Sequence, residues 1–447
     1  GERVHGDLDA AFASSDVVIE RTYRTQATQQ SMMETFRSFA YTDAFGRLTV
    51  VSSTQVPFHI RRQVATALGI PKSQVRVIKP RVGGGFGAKQ SGCNEAFAAL
   101  AALRTGRPCV CTYTREETMC CSNTRHEMVL TVRVGATADG EIRAIDLHAL
   151  SNAGAYGYHG TTTVTLVGGK ALPIYNHAAA SRFSYEVAYT NTTPGGAYRG
   201  YGATQGCFAV ESAVNELADE LGMDPCELRL KNLVKPGETL WQLGDEPLHS
   251  CRADDCLRRA MEMVGWQDRP LSEDLGDRVR GLGVALTMQG SGIANVDIAN
   301  VDIRLEDDGF YVLSIGATDV GTGADTILAQ MAAEVLGCDV DRVVTKGVDT
   351  DTSPFDTGAY ASSGGERRMT VAELANKMIG FGLMPGMLEG HGANSQPSSP
   401  PPFMAGVAEV EVDKATGQVR VTDYAAVVDC GTVVNPSLAR VQAEGGI

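Results

Sequence analysis

The sequence contains the stretch Arg81-Val82-Gly83-Gly84-Gly85-Phe86-Gly87-Ala88-Lys89-Gln90, in which four glycines surround one phenylalanine. The alternating apolar residues of 75–80 predict a strand before it, and apolar residues at helical spacing predict a helix at about 93–103 after it. Because glycine has no Cβ, backbone N–H groups in such a loop can approach an anionic ligand closely. This glycine loop is therefore the first candidate binding element.

Two known phosphate-binding patterns can be compared with the glycine loop. It fails the Walker A pattern, because Ala88 stands where that pattern has its last glycine. It matches the dinucleotide pattern G-x-G-x-x-A at Gly83, Gly85 and Ala88, with Glu116 or Glu117 as a more distant ribose partner. A tight turn beside a buried strand explains the same residues equally well. An NAD-binding dehydrogenase is thus one open hypothesis.

A second motif, Pro194-Gly195-Gly196-Ala197-Tyr198-Arg199-Gly200-Tyr201-Gly202-Ala203-Thr204-Gln205, precedes a helix predicted at about 206–221. GGGFG-x-K and A-[YF]-R-G-[YF]-G-x-x-Q together make the chain resemble the molybdenum-binding subunit of the xanthine dehydrogenase/aldehyde oxidoreductase family, the molybdenum hydroxylases. The resemblance continues through Glu211 and residues 224–233 into the second half. It covers nearly the whole chain.

Composition limits the classes of function. The 447 residues suggest two or three domains, and 43% hydrophobic with 21% charged residues is ordinary for a globular protein. The net charge of −14 argues against nucleic acid as a partner. No signal peptide and no long apolar run occur, so we expect no membrane span and a cytoplasmic location. The 11 cysteines and 8 histidines lack metal-site spacing, so we expect no direct ligation of a metal by side chains.

The second half of the chain repeats the first. A hairpin ending near residue 55, a helix at 57–68 and a strand at 75–78 match a hairpin at 301–315, a helix at 324–336 and a strand at 343–344. A hairpin at 129–150 is likewise matched by one at 408–429, whereas the Gly- and Thr-rich residues 157–180 are expected to form a loop. We predict an α+β fold of two related molybdopterin-binding domains, 1–240 and 241–447, with the cofactor at their interface.

The resemblance implies a molybdenum–molybdopterin cofactor, in bacteria often the cytosine dinucleotide form, that the protein packs rather than ligates. Gln55 corresponds to the glutamine that hydrogen-bonds the apical oxo group, and Arg199 to the arginine beside the molybdopterin. These two are the implied catalytic residues. The implied cofactor-binding residues are Gln55, Gly85, Phe86, Gly87, Arg199, Thr322, Gly323, Ala361, Ser362, Ser363 and Gln442.

The resemblance places the substrate at Gln90, Lys170 and Tyr201. Purine-oxidising members carry Glu at the position of Gln90 and Arg at that of Lys170. An amide in place of a carboxylate changes the hydrogen bonds offered to the substrate. We therefore expect an N-heterocyclic or aldehyde substrate rather than xanthine in particular, with Tyr201 flanking a planar ring.

The implied reaction is hydroxylation of an electrophilic carbon with water-derived oxygen. The family's catalytic glutamate lies beyond the point that matches Gln442, so the site is expected to need a residue outside this sequence, from a further chain or a longer one. Glu34 and Glu444 are expected to be structural. The second domain is expected to be incomplete at its C-terminus, with a segment omitted near 363–365. A [2Fe–2S] subunit and an FAD subunit are implied partners, and a non-catalytic scaffold fragment is the remaining alternative.

Overall fold

The computed structural model describes residues 1–241, 247–294, 296–306, 308–360, 389–395 and 398–447. The predicted site residues Ala361, Ser362 and Ser363, and the expected omission near 363–365, lie outside the described residues. In the part of the chain that the structure describes, no helix is both long and apolar enough to cross a membrane.

The strands are β1 (Glu2–His5), β2 (Val17–Thr25), β3 (Thr28–Gln29), β4 (Arg37–Thr42), β5 (Leu48–Ser52), β6 (Val75–Ile78), β7 (Cys109–Thr112), β8 (Thr124–Arg125), β9 (Met128–Ala136), β10 (Ile142–Gly154), β11 (Ala180–Tyr189), β12 (Ser272–Asp274), β13 (Arg278–Met288), β14 (Ile298–Leu305), β15 (Tyr311–Ile315), β16 (Val343–Lys346), β17 (Glu389–Ser395), β18 (Phe403–Asp413) and β19 (Val419–Asp429). The α-helices are α1 (Leu8–Ala13), α2 (Pro57–Leu68), α3 (Glu95–Thr105), α4 (Arg115–Cys120), α5 (Gly160–Ala171), α6 (Ala203–Leu221), α7 (Pro225–Asn232), α8 (Ala253–Val264), α9 (Ala324–Leu336) and α10 (Pro436–Glu444).

The strands form matching pairs of sheets, which confirms the α+β class. The order β6-β5-β4-β7 recurs as β16-β15-β14-β17, and β2-β9-β10 recurs as β13-β18-β19. The chain thus contains two copies of one arrangement, the first formed by β2 to β10 and the second by β13 to β19. In both copies the helix that follows the hairpin, α2 or α9, ends at a left-handed glycine, Gly69 or Gly337. The predicted repeat of hairpin, helix and strand is present, whereas the domain boundary at 240/241 stays a prediction.

The two copies meet where β6 ends and the chain leaves β16. Lys79 N donates to Val348 O at 2.9 Å, and Thr350 N donates to Val77 O at 3.0 Å. The guanidinium of Arg76 pairs with the Asp349 carboxylate at 2.5 Å. Because the glycine loop follows β6 directly, this junction brings the loop against the second copy.

The main core lies between the sheet β1-β11-β10-β9-β2 and the sheet β12-β13-β18-β19, and it contains a buried ion pair. The Arg229 side chain is fully buried, and its Nε donates to Glu211 Oε2 at 2.9 Å. Glu211 also accepts from the Tyr175 hydroxyl at 2.5 Å and from Leu286 N at 2.7 Å. Since every buried charge needs partners, these bonds fix α6 and α7 against β13.

Two local predictions were wrong. Residues 157–180, expected to be a loop, contain α5, because the small residues of this segment allow close packing: a Cβ at Gly168 would come within 2.2 Å of the Phe183 ring. The helix after the glycine loop begins at Glu95 rather than 93, because the Glu95 carboxylate accepts the backbone N–H groups of Cys93 and Asn94 ahead of the helix.

Candidate cofactor site

The glycine loop has a backbone conformation that favours glycine at several positions. Gly84 and Gly87 have φ values of 94 and 102, and Phe86 itself lies at φ 51, where a non-glycine residue is strained. A Cβ at Gly87 would come within 2.5 Å of the backbone oxygen of Ala197. The conformation turns the Phe86 side chain outward, 41% exposed.

A buried ion pair between Lys89 and Glu34 stabilises the glycine loop. Lys89 Nζ, 1% exposed, lies 2.8 Å from Glu34 Oε2 and 3.0 Å from Ser53 Oγ. Gly83 N donates to the same Glu34 oxygen at 2.7 Å. Burial would raise the pKa of Glu34, but the hydrogen bonds from Lys89, Ser53 and Gly83 hold that pKa below its usual range. Glu34 is thus a structural carboxylate with its partners in place.

Gln55 joins the glycine loop to the second copy. Its side chain is 4% exposed; Oε1 accepts from Gly87 N at 3.0 Å, and Nε2 donates to Ala359 O at 2.8 Å. Ala359 N returns a bond to Gln55 O at 2.9 Å. Because a carboxamide has two N–H donors, one N–H of Gln55 is left to donate to a ligand.

Arg199 closes the other side of the loop. Its backbone N–H donates to Phe86 O at 2.9 Å, and its guanidinium lies over the Phe86 ring, 5.2 Å from the ring centroid. The guanidinium also donates to the backbone oxygen of Gly445, just after α10. Across the described residues no carboxylate pairs with this exposed cation. An unpaired guanidinium beside a glycine cradle fits an anionic cofactor.

The turn that carries Thr322 and Gly323, which the resemblance implies lies at a phosphate of the cofactor, already uses two of its backbone N–H groups within the protein. The Asp319 carboxylate accepts the N–H groups of Gly321 at 2.8 Å and Gly323 at 3.3 Å. Thr322 is exposed, and Gln442 Nε2 donates to Gly321 O at 3.1 Å. The structure therefore brings Gln442 and the Thr322–Gly323 turn together, but a phosphate at this turn would compete with Asp319 for the N–H of Gly323.

The predicted substrate residues do not contact one another directly. Gln90 is half-buried and its N–H donates to Gly87 O at 3.2 Å, beside the loop. The Tyr201 hydroxyl contacts His159 and lies 2.8 Å from Thr162 Oγ1. Lys170 lies two turns farther along α5.

The Lys170 side chain is 6% exposed, and no hydrogen bond or ion pair joins it to the rest of the described chain. A Cβ at Gly290 would lie within 2.7 Å of its Nζ, so this glycine leaves the amine its space. Burial lowers the pKa of Lys170 to about 8. It is therefore a buried cation at the boundary between the two copies.

Three contributors to this region were not recognised from the sequence. His159 and Thr162 fall in the segment that was expected to be a loop, so nothing placed them beside Tyr201. Asp319 was not predicted as part of the site. Its position two residues before Gly321 is typical of a side chain that accepts turn N–H groups, and this spacing could have revealed it.

No group of three or more His, Cys, Asp or Glu side chains suited to a metal ion occurs among the residues that the structure describes. The donors found here are backbone N–H groups, the Gln55 carboxamide and the Arg199 guanidinium. This set suits a cofactor that brings its own metal ligands and is held by hydrogen bonds and charge.

Comparison with known proteins gives matches over the whole chain. Models of the molybdopterin cofactor-binding domain match residues 2–233, and 259–379 with 363–447. The chain is 38% identical to "Probable hypoxanthine oxidase XdhD" of Escherichia coli K12, covering 98% of this chain and 51% of that protein. It is 32% identical to a xanthine dehydrogenase molybdenum-binding subunit of Escherichia coli O157:H7, covering 99% and 66%. The structure of the aldehyde oxidoreductase from Desulfovibrio desulfuricans superposes with a TM-score of 0.89 at 25% identity, covering 100% and 53%. The chain thus spans about half the length of the curated relatives it matches first.

Proposed function

The chain belongs to the xanthine dehydrogenase family as a molybdopterin-binding large subunit, and from this premise we propose the reaction that it serves. It holds a molybdenum–molybdopterin cofactor between its two copies and hydroxylates an electrophilic carbon of an N-heterocycle or an aldehyde with water-derived oxygen. Electrons pass to [2Fe–2S] and FAD groups on partner subunits. The observation that carries the proposal is the meeting of Gly87, Gln55 and Arg199 at the junction of the copies.

Each residue has a distinct role in this proposal. The bound cofactor supplies the oxygen-transfer and redox chemistry. Gln55 directs its remaining N–H into the site and adds no charge there. Arg199 balances the anionic cofactor with a permanent positive charge, and the exposed Phe86 ring forms an apolar wall that excludes water.

The substrate end is formed by Gln90, Lys170 and Tyr201. The Gln90 carboxamide both donates and accepts, so it suits a heterocycle with ring nitrogens or carbonyl groups. The Tyr201 ring offers a face for a planar substrate. Relatives named for hypoxanthine and xanthine support an N-heterocycle, and one named as an aldehyde oxidoreductase keeps the aldehyde as the second class.

The proton acceptor of the reaction is assigned outside the described residues. Glu34 Oε2 accepts from Lys89, Ser53 and Gly83, and these bonds hold the pKa of Glu34 below its usual range, which makes it a weak base. Glu444 pairs with Arg440 at 2.6 Å. Both carboxylates have cationic partners that stabilise their charged form, which supports a glutamate supplied by another part of the complete protein or by another chain.

The dinucleotide hypothesis receives no support from the geometry. In that pattern a helix begins within the glycine run and aims its N-terminus at the pyrophosphate. Here α3 begins only at Glu95, and Gly87 N is used by Gln55. The loop therefore lacks the helix N-terminus that a pyrophosphate needs.

The test is the molybdenum content of the complete protein, purified with its accompanying subunits and measured by inductively coupled plasma mass spectrometry. We expect about one molybdenum per copy of this chain, and turnover of at least one of hypoxanthine, nicotinate, quinoline and benzaldehyde with a dye as acceptor. Arg199→Met should lower molybdenum occupancy by about fivefold or more, the effect of one charge-assisted hydrogen bond. His148→Phe, on β10, is the matched control with unchanged occupancy. A stable complex that contains no molybdenum would refute the proposal.

A further inference from the structure

The start of α5 holds the tyrosine of the second motif by its hydroxyl group. The Tyr201 hydroxyl hydrogen-bonds to His159 Nδ1 and lies 2.8 Å from Thr162 Oγ1. The His159 backbone N–H in turn donates to Gly195 O at 3.4 Å, within the same motif. Side chain and main chain of His159 therefore both contact the segment that carries Arg199.

Tyr201 has a strained backbone conformation, which needs stabilising contacts elsewhere. Its φ is 25, in a region that costs a residue with a Cβ on the order of 1–3 kcal/mol. The backbone of the next residue, Gly202, lies in close contact with α5, because a Cβ at this position would come within 2.3 Å of Thr163 O. The turn thus packs closely against α5. The hydroxyl contacts of Tyr201 hold its side chain to α5, while Arg125 holds the other side of the turn through Arg199 O at 2.6 Å.

The phenolic hydrogen of Tyr201 has an acceptor within the protein. Burial lowers the pKa of His159, which favours the neutral imidazole. Thr162 Oγ1 donates to His159 O at 3.3 Å and so offers its own lone pairs to Tyr201. In either imidazole tautomer the single phenolic hydrogen goes to His159 or to Thr162, and none remains for a ligand.

We propose that His159 is a positioning residue that fixes the Tyr201 ring. Because only Gly200 separates Tyr201 from Arg199, His159 thereby also fixes the position of the Arg199 guanidinium. The site then offers a planar substrate the face of an aromatic ring but no phenolic donor. This inference rests on the proposed function, in which the Tyr201 ring faces the substrate and the Arg199 guanidinium faces the cofactor. It adds His159, which contacts neither cofactor nor substrate, to the residues on which the site depends.

A double-mutant cycle in the complete protein tests the contact itself. His159→Phe and Tyr201→Phe each remove one partner, and His159→Asn keeps an acceptor near the position of Nδ1. We expect each Phe variant to lower the melting temperature by about 1–3 °C, the double variant to lower it no further, and His159→Asn to recover most of the loss. Additive losses in the double variant would overturn the contact.

A second readout tests positioning. The electron paramagnetic resonance spectrum of the dithionite-reduced complex reports on the surroundings of the molybdenum without any need for a substrate. We expect a shifted spectrum in His159→Phe and a wild-type spectrum in His159→Asn. The control is His148→Phe, which removes a comparable imidazole–hydroxyl bond to Ser184 at 2.9 Å on the sheet. It should lower stability and leave the spectrum unchanged.

The two readouts separate the possible failures. Coupled stabilities with an unshifted spectrum in His159→Phe would overturn positioning while the hydrogen bond stands. A complex without molybdenum would refute the proposed function and with it the positioning role, whereas the stability cycle would still report on the contact between His159 and Tyr201.

Discussion

Replacing Lys89 by methionine tests whether the buried ion pair supports the glycine loop. Methionine has nearly the length of lysine but carries no charge. The substitution removes the ammonium group 2.8 Å from Glu34 Oε2 and leaves a carboxylate whose side chain is only 18% exposed. Breaking a buried pair from one side costs about 3–5 kcal/mol. Because Glu34 keeps the donors Ser53 and Gly83 N, we expect about 2–3 kcal/mol, or a fall in melting temperature of about 4–10 °C.

The assay is thermal unfolding of the complete protein at one fixed heating rate. The double variant Glu34→Gln/Lys89→Met has no stranded charge and should regain more than half of the lost stability. Arg259→Met breaks an exposed pair, whose side chains are 66% and 68% exposed, and should cost less than about 0.5 kcal/mol. If Lys89→Met is as mild as Arg259→Met, the reasoning about the buried pair is wrong.

The same pair predicts a pH dependence. The pKa of Glu34 lies below its unfolded value of about 4.3, because the hydrogen bonds from Lys89, Ser53 and Gly83 outweigh burial. Its contribution to stability is therefore present above about pH 4.3 and is lost as the pH falls through the folded pKa. The advantage of the wild type over the double variant should stay constant from pH 7 to about pH 5 and vanish in stronger acid.

Three further outcomes are expected. Gly87→Ala puts a Cβ within 2.5 Å of a backbone oxygen at φ 102, so soluble yield and bound molybdenum should collapse; Gly92→Ala, whose Cβ meets only a flexible side-chain end at 3.0 Å, should keep both within about twofold. Lys170→Met should raise the melting temperature at pH 7, with a gain of about 1–3 kcal/mol that shrinks towards pH 10, because the folded pKa of about 8 lies below the unfolded value of about 10.4; an unchanged melting temperature would contradict an unpaired buried cation. Asp224→Ala removes the N-cap of α7 and the acceptor of Trp266 Nε1 at 2.8 Å, and should cost about 1–2 kcal/mol in thermal unfolding; Asp224→Asn keeps one acceptor oxygen for the cap but turns an N–H towards Trp266 Nε1, and should recover only part of the loss.

Much of the fold could be predicted because the main signals are local. Helix ends followed the glycines that adopt left-handed φ, such as Gly69 and Gly337. Matching hairpins and helices revealed the repeat before any contact was known. The α5 segment could not be predicted in this way, because its glycines and threonines favour a loop, and the helix depends on tertiary packing such as that of Gly168 against Phe183 and of Val167 against Gly206.

The candidate site also contains some residues that could be named from the sequence and others whose placing stays a prediction. Gly85, Phe86, Gly87, Gln55 and Arg199 were named from the sequence because two motifs resemble those of a known family; the structure brings Gln55 and Arg199 to the glycine loop, and their roles towards a cofactor stay predictions. The placing of Ala361, Ser362 and Ser363 stays a prediction, since these residues lie outside the described part of the chain. The roles of Thr322, Gly323 and Gln442 also stay predictions, with the competing Asp319 carboxylate now known.

By itself, the sequence determined the α+β class, the internal repeat and the glycine loop, because each depends on residues close together in the chain. The tertiary structure alone decided which distant groups meet. Glu34 with Lys89, Gln55 with Ala359 and His159 with Tyr201 are such pairs. A hydrogen bond forms only at the distance and angle of its two atoms, and that geometry is set when the sheets and helices pack, not by spacing along the chain.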